Sequence, residues 1–118
     1  MRRRLSLALA MASLTAACAG GSEGMVVEMF DNRFAPAQLT VEVGTEVVFR
    51  GAGRNPHNAV ASDGSWSTET AFGSLDQYDG DDAVLVFETP GTFDFFCTYH
   101  GTAEGQGMAG TITVEDSA

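Results

Sequence analysis

Lysine is absent from this chain, and histidine and cysteine occur only twice each, at His57, His100, Cys18 and Cys97. The basic charge is six arginines, three of them crowded at Arg2, Arg3 and Arg4. Beyond residue 17, only Arg33, Arg50 and Arg54 stand against all sixteen acidic residues. So acidic a surface repels phosphate, which excludes nucleic acid as a partner. The acids are spread along the chain, so solubility accounts for most of them; docking to a basic protein is the sharper reading. With Cys18 at the end of an N-terminal leader, Cys97 has no partner for an intrachain disulfide. A solitary thiol in an exported chain needs another purpose.

Long apolar runs are also missing. Leu5 to Ala17 carries no charge, but its thirteen residues fall short of the roughly 20 that span a bilayer. Preceded by three arginines and ended by small residues, this run reads as a secretory signal over 1–17. Leu14-Thr15-Ala16-Ala17-Cys18 is similar to a bacterial lipobox, with Leu14 one residue further from the cysteine than usual. That predicts lipidation of Cys18. The competing site, Ala17-Cys18-Ala19, would remove Cys18 with the leader. In the lipoprotein reading residues 18–24 are a tether of on the order of 20 Å. The protein is then held at the cell membrane by a lipid anchor rather than a transmembrane helix, facing the periplasm or the extracellular side.

Helical periodicity never persists beyond about a turn, and residues 25–118 read as one all-β domain of about seven to eight strands, a sandwich or barrel. Leu39 to Val43 alternates apolar and polar residues. Gly44-Thr45 makes a turn, and Val47 and Phe49 then share a face. Met25 to Phe30 and Ala83 to Glu88 are further strand-like runs, with Met25 and Met29 expected in the core. Thr89-Pro90-Gly91 is a turn signal. Residues 62–82, polar and rich in Gly and Asp, read as a long excursion with room for one short helical turn. Trp66, within it, is expected to serve packing.

Chemistry concentrates near the C-terminus. Phe93, Phe95 and Cys97 share one strand parity, so the Cys97 thiol faces the core at a strand's end. Met108, Ile112 and Val114 share another, so the Met108 thioether faces inward as the next strand begins. His100 lies between them, and His57 comes from a distant Gly-rich loop. Two imidazoles, a thiolate and a weak axial thioether form the donor set of an electron-transfer copper site. Alone, Cys97 would pass for a small core residue. Zinc prefers four strong N, O or S donors, which a thioether does not complete.

The stretch from Gly91 to Val114, with Cys97-Thr98-Tyr99-His100 and Gly107-Met108-Ala109-Gly110, resembles the C-terminal motif of plastocyanins and halocyanins. Pro56-His57-Asn58 resembles their first ligand motif. The resemblance spans the chain from about Met25 onward. It implies a cupredoxin Greek-key β-sandwich, one type 1 copper ion, and His57, Cys97, His100 and Met108 as its ligands. It further implies that Asn58 ties the two ligand loops together, with Thr98 as partner. Seven residues separate His100 from Met108, where plastocyanins have four. Gln106 is the rival axial ligand, since stellacyanin-like members use a glutamine.

The implied function is one-electron transport by a monomer, without catalytic residues, between redox protein partners such as a cytochrome, an oxidase or a reductase. The alternative is copper storage or delivery. Multicopper enzymes with related domains need further histidines for a substrate-binding copper, and this chain has none to spare.

Overall fold

The computed structural model describes residues 24–117; the leader and Cys18 lie outside the described residues. Eight strands and one short helix follow in order: β1 Met25–Phe30, β2 Arg33–Ala35, β3 Gln38–Glu42, β4 Glu46–Gly51, β5 Val60–Ala61, α1 Thr68–Phe72, β6 Asp82–Val86, β7 Gly91–Gly101 and β8 Gly107–Glu115. They form two four-stranded sheets, β2-β1-β4-β6 and β3-β8-β7-β5. The all-β sandwich expected from the turn spacing is the fold. Among the described residues no helix is long and apolar enough to cross a membrane.

Alternation builds the core. From the first sheet Val27, Met29, Val47, Phe49 and Ala83 point inward with no exposed surface. From the second, Leu39, Val41, Phe95, Cys97, Met108, Ile112 and Val114 meet them. Burying each large side chain contributes about 1.5–3 kcal/mol. Phe95 is the hub: its ring meets Phe34 at 4.7 Å and Phe49 at 5.6 Å, both edge-on, an arrangement the ring quadrupole favours. Trp66 packs against Phe87 at 5.1 Å, which bears out a packing role. Met25 does not join the core. It is 37% exposed, because it begins β1 at the rim of the sandwich.

Two features position the site. First, β1 and β4 run parallel, with Met29 opposite Gly51. The turn after β1 and the loop after β4 therefore leave from the same end of the sandwich. Second, β7 and β8 pair regularly from Gly91–Val114 to Phe96–Ala109, lose register, and pair again only at Gly101–Gly107. Cys97 through His100 thus stand against the single residue Met108, as a large bulge. The pinch at Gly101–Gly107 has no room for side chains. A Cβ on Gly101 would lie 2.2 Å from the Met108 carbonyl oxygen, and one on Gly107 2.3 Å from that of His100.

The 62–82 excursion holds the expected short helix, α1. It is more tightly fastened than its composition suggests. The Thr68 Oγ1 accepts the Ala59 N–H, and the Thr68 N–H donates to the Ala59 carbonyl. Further on, Gln77 exchanges two backbone hydrogen bonds with His57, at 3.0 and 3.1 Å.

Candidate metal centre

The bulge in β7 and the loop after β4 bring His57, Cys97 and His100 together, with their ligand atoms within 4.8 Å of one another. Cys97 Sγ lies 3.9 Å from His57 Nδ1 and 3.9 Å from His100 Nδ1. The two rings sit 5.0 Å apart at 51°. A first-row ion with bonds of about 2.0–2.3 Å in a trigonal plane separates sulfur from nitrogen by ~3.8 Å. Both separations match that spacing. Cys97 and His57 are wholly buried, and His100 is only partly so.

The surroundings of each donor differ. Asn58, also wholly buried, donates from Nδ2 to Thr98 Oγ1 at 2.8 Å, while its Oδ1 accepts the Thr98 N–H at 2.9 Å. This two-way bond fixes the histidine loop to the cysteine strand. Met108 is 1% exposed and lies in the core cluster with Cys97. Gln106 is exposed, at the closing end of a tight loop where the Thr102 N–H donates to the Gln106 carbonyl at 3.0 Å. The long His100–Met108 segment is thus a hairpin tip beyond the glycine pinch, which leaves Met108 on its strand.

One contact was not foreseen from the sequence. His57 Nε2 lies 2.8 Å from Asp31 Oδ1. The same carboxylate accepts the Asn55 N–H on Oδ1 and the Arg54 N–H on Oδ2, each at 3.2 Å. The His57 bond and these two amides hold the Asp31 pKa at about 2, so it is anionic at neutral pH. Asp31 lies in the tight turn between β1 and β2, where Asn32 takes φ 70°, a conformation asparagine tolerates.

A model of copper-binding proteins of the plastocyanin/azurin family matches residues 23–115. The chain belongs to that family. It is 33% identical to plastocyanin of Dryopteris crassirhizoma, over 75% of this chain and 93% of that one. It is 29% identical to the major chloroplastic plastocyanin of Arabidopsis thaliana over 80% of its length, and there it spans only 56% of the relative. A reduced amicyanin variant superimposes with a TM-score of 0.61 at 24% identity, covering 79% of this chain and 83% of the other. A copper-containing nitrite reductase from Thermus scotoductus gives 0.65 at 23% identity, covering 80% of this chain but 23% of the enzyme. These two likenesses establish the fold, a cupredoxin sandwich. The cluster of His57, Cys97 and His100 fits a type 1 copper site in donor chemistry as well as spacing.

Proposed function

We propose that this protein is a one-electron carrier with a single type 1 copper, working between redox protein partners such as a cytochrome, an oxidase or a reductase. The observation that carries this reading is the buried Cys97 thiol set 3.9 Å from each of two imidazole Nδ1 atoms. When bound there, copper supplies the Cu(I)/Cu(II) couple. His57, Cys97 and His100 would supply the strong donors, and Met108 a weaker thioether. Asn58 and Thr98 keep the two halves of the site from moving apart as charge changes, which keeps rearrangement small. His100, the partly exposed donor, gives electrons their exit. Its neighbour Tyr99 is 51% exposed, with its ring 6.4 Å from that of His100.

Storage or delivery is the second reading. It suits metal donors on exposed, flexible segments, whereas here His57 and Cys97 have no exposed surface. An enzyme reading needs further imidazoles, and the sequence has only these two. The carrier reading predicts an intensely blue oxidised protein that bleaches on reduction and recovers on reoxidation. Cys97→Ser should fold and lose the blue band entirely. A blue Cys97→Ser protein, or a band that does not return, would overturn the assignment.

The location proposed is a membrane-held lipoprotein, through Cys18, on the periplasmic or extracellular side. Cys18→Ser should move the protein from the membrane fraction to the soluble one. A wild-type protein that is wholly soluble, with its N-terminus beyond residue 18, would favour simple cleavage.

A further inference from the structure

We propose that Asp31 is a positioning residue for the metal site: it holds His57 with its proton on Nε2, leaving the Nδ1 lone pair facing Cys97, and its charge favours the oxidised ion. This rests on the copper reading above, and one of its tests is independent of copper.

The geometry assigns the proton. An ionised carboxylate can only accept, so at 2.8 Å from Asp31 Oδ1 it is the His57 Nε2–H that donates. A neutral imidazole has one N–H, so Nδ1 is left with its lone pair. That is the nitrogen 3.9 Å from the Cys97 sulfur. His57 is wholly buried, so in that pocket water does not compete for its ring. The carboxylate is in turn fixed by the backbone N–H groups of Arg54 and Asn55. Hydrogen-bonded carboxylates of this kind orient ligating histidines and raise their basicity. A more basic imidazole, with a full negative charge behind it, favours the ion of higher charge.

A second observation says that the loop is shaped for this contact. A Cβ on Gly53 would lie 2.3 Å from Asp31 Oδ1 and 2.9 Å from His57 Nε2. Gly53 therefore leaves the space through which the carboxylate reaches the ring. The parallel pairing of β1 with β4 brings the two segments to the same end of the sandwich. No equivalent carboxylate contact is made to the His100 ring among the described residues, so the polarisation acts on one imidazole only.

Asp31→Asn and Asp31→Ala separate charge from support, with Asp63→Asn as a control for net charge on an exposed loop. Asp31→Asn keeps an acceptor and removes the charge. It should keep the blue band and shift the balance toward Cu(I) roughly tenfold, which is a rise of about 59 mV for one electron, while Asp63→Asn shifts it far less. Asp31→Ala removes the acceptor as well. In the metal-free protein, nitrogen NMR of the imidazoles should show His57 as a single Nε2–H tautomer in the wild type and as a mixture in Asp31→Ala. Copper affinity should fall about 10- to 100-fold. If Asp31→Ala does not fold, the wild-type tautomer and the Asp31→Asn potential still decide. A wild-type His57 protonated on Nδ1, or an Asp31→Asn potential no further displaced than that of Asp63→Asn, would overturn the proposal. The tautomer measurement holds even if copper is the wrong metal.

Discussion

The two histidine-bearing segments bring the same kind of donor to the cluster from opposite surroundings. His57 has no exposed surface, lies against the Asp31 carboxylate, and exchanges backbone hydrogen bonds with Gln77. His100 is partly exposed, on a bulge whose residues face one residue of the neighbouring strand. In the proposed carrier one side is the anchor and the other the contact surface. An electron carrier needs both, since a fully wrapped site would be slow to exchange and a fully open one would rearrange. The comparison breaks most sharply if each ring is deleted. His57→Gly and His100→Gly should both lose the blue band. Free imidazole, added at high concentration, should restore colour to His100→Gly, whose gap opens toward solvent. It should not restore His57→Gly, where the gap is closed. Equal rescue of both would mean that the burial difference does not govern access.

The next contrast lies within the hairpin that follows His100. Met108 is 1% exposed on β8, and Gln106 is exposed in the loop that precedes it. If Met108 is the axial donor, replacing its thioether with the harder amide oxygen stabilises Cu(II). Met108→Gln should lower the potential by more than about 59 mV, a tenfold change in preference, and shift the spectrum. Gln106→Ala should leave both nearly unchanged. A large shift from Gln106→Ala and none from Met108→Gln would exchange their roles.

Strand parity made much of this readable from the residues alone. Phe95 and Cys97 on one strand, and Met108, Ile112 and Val114 on the next, point inward as their alternation requires. What stayed hidden depends on which strands are neighbours. Asp31 meets His57 across 26 residues because β1 and β4 are parallel partners, and no local pattern in Phe30-Asp31-Asn32-Arg33 announces that pairing. Strand β2 is only three residues long and β5 only two, too short for alternation to show. Gln77 sits among Asp, Gly and Tyr residues that give no sign of burial, yet it is wholly buried. Met25 shares the inward parity of Val27 and Met29 and is still exposed, since parity sets a side chain's direction and not where the core ends.

The smallest effects concern what holds the His57 end of β4 in place. Gln77 Nε2 donates to the Phe49 carbonyl at 3.0 Å and to the Asp81 carbonyl at 3.2 Å. Nearby on the outer face, Arg50 makes a two-pronged pair with Asp82, at 2.8 and 3.0 Å. The bond to Phe49 is buried and the ion pair lies open, with side chains 44% and 39% exposed. Gln77→Leu takes a donor from the Phe49 carbonyl and from the Asp81 carbonyl, the latter keeping the Gly51 N–H at 2.9 Å, which costs roughly 1–3 kcal/mol. Part of that is offset, because the buried Gln77 Oε1 has no partner of its own among the described residues. The backbone bonds between residues 57 and 77 survive, so the blue band should move little while urea unfolds the protein earlier. Arg50→Ala removes an exposed pair that water and salt already screen, and its midpoint should move less. The sign of its pH dependence is fixed by Asp82, whose pKa the Arg50 hydrogen bond lowers. The pair stabilises the fold above the ordinary carboxylate pKa, and that contribution is lost as pH falls through the lowered value in the folded state. Wild type and Arg50→Ala should therefore converge in acid, whereas the Gln77→Leu deficit should persist there. A larger loss from Arg50→Ala than from Gln77→Leu at neutral pH would mean that surface charge, and not the buried amide, fastens this end of the strand.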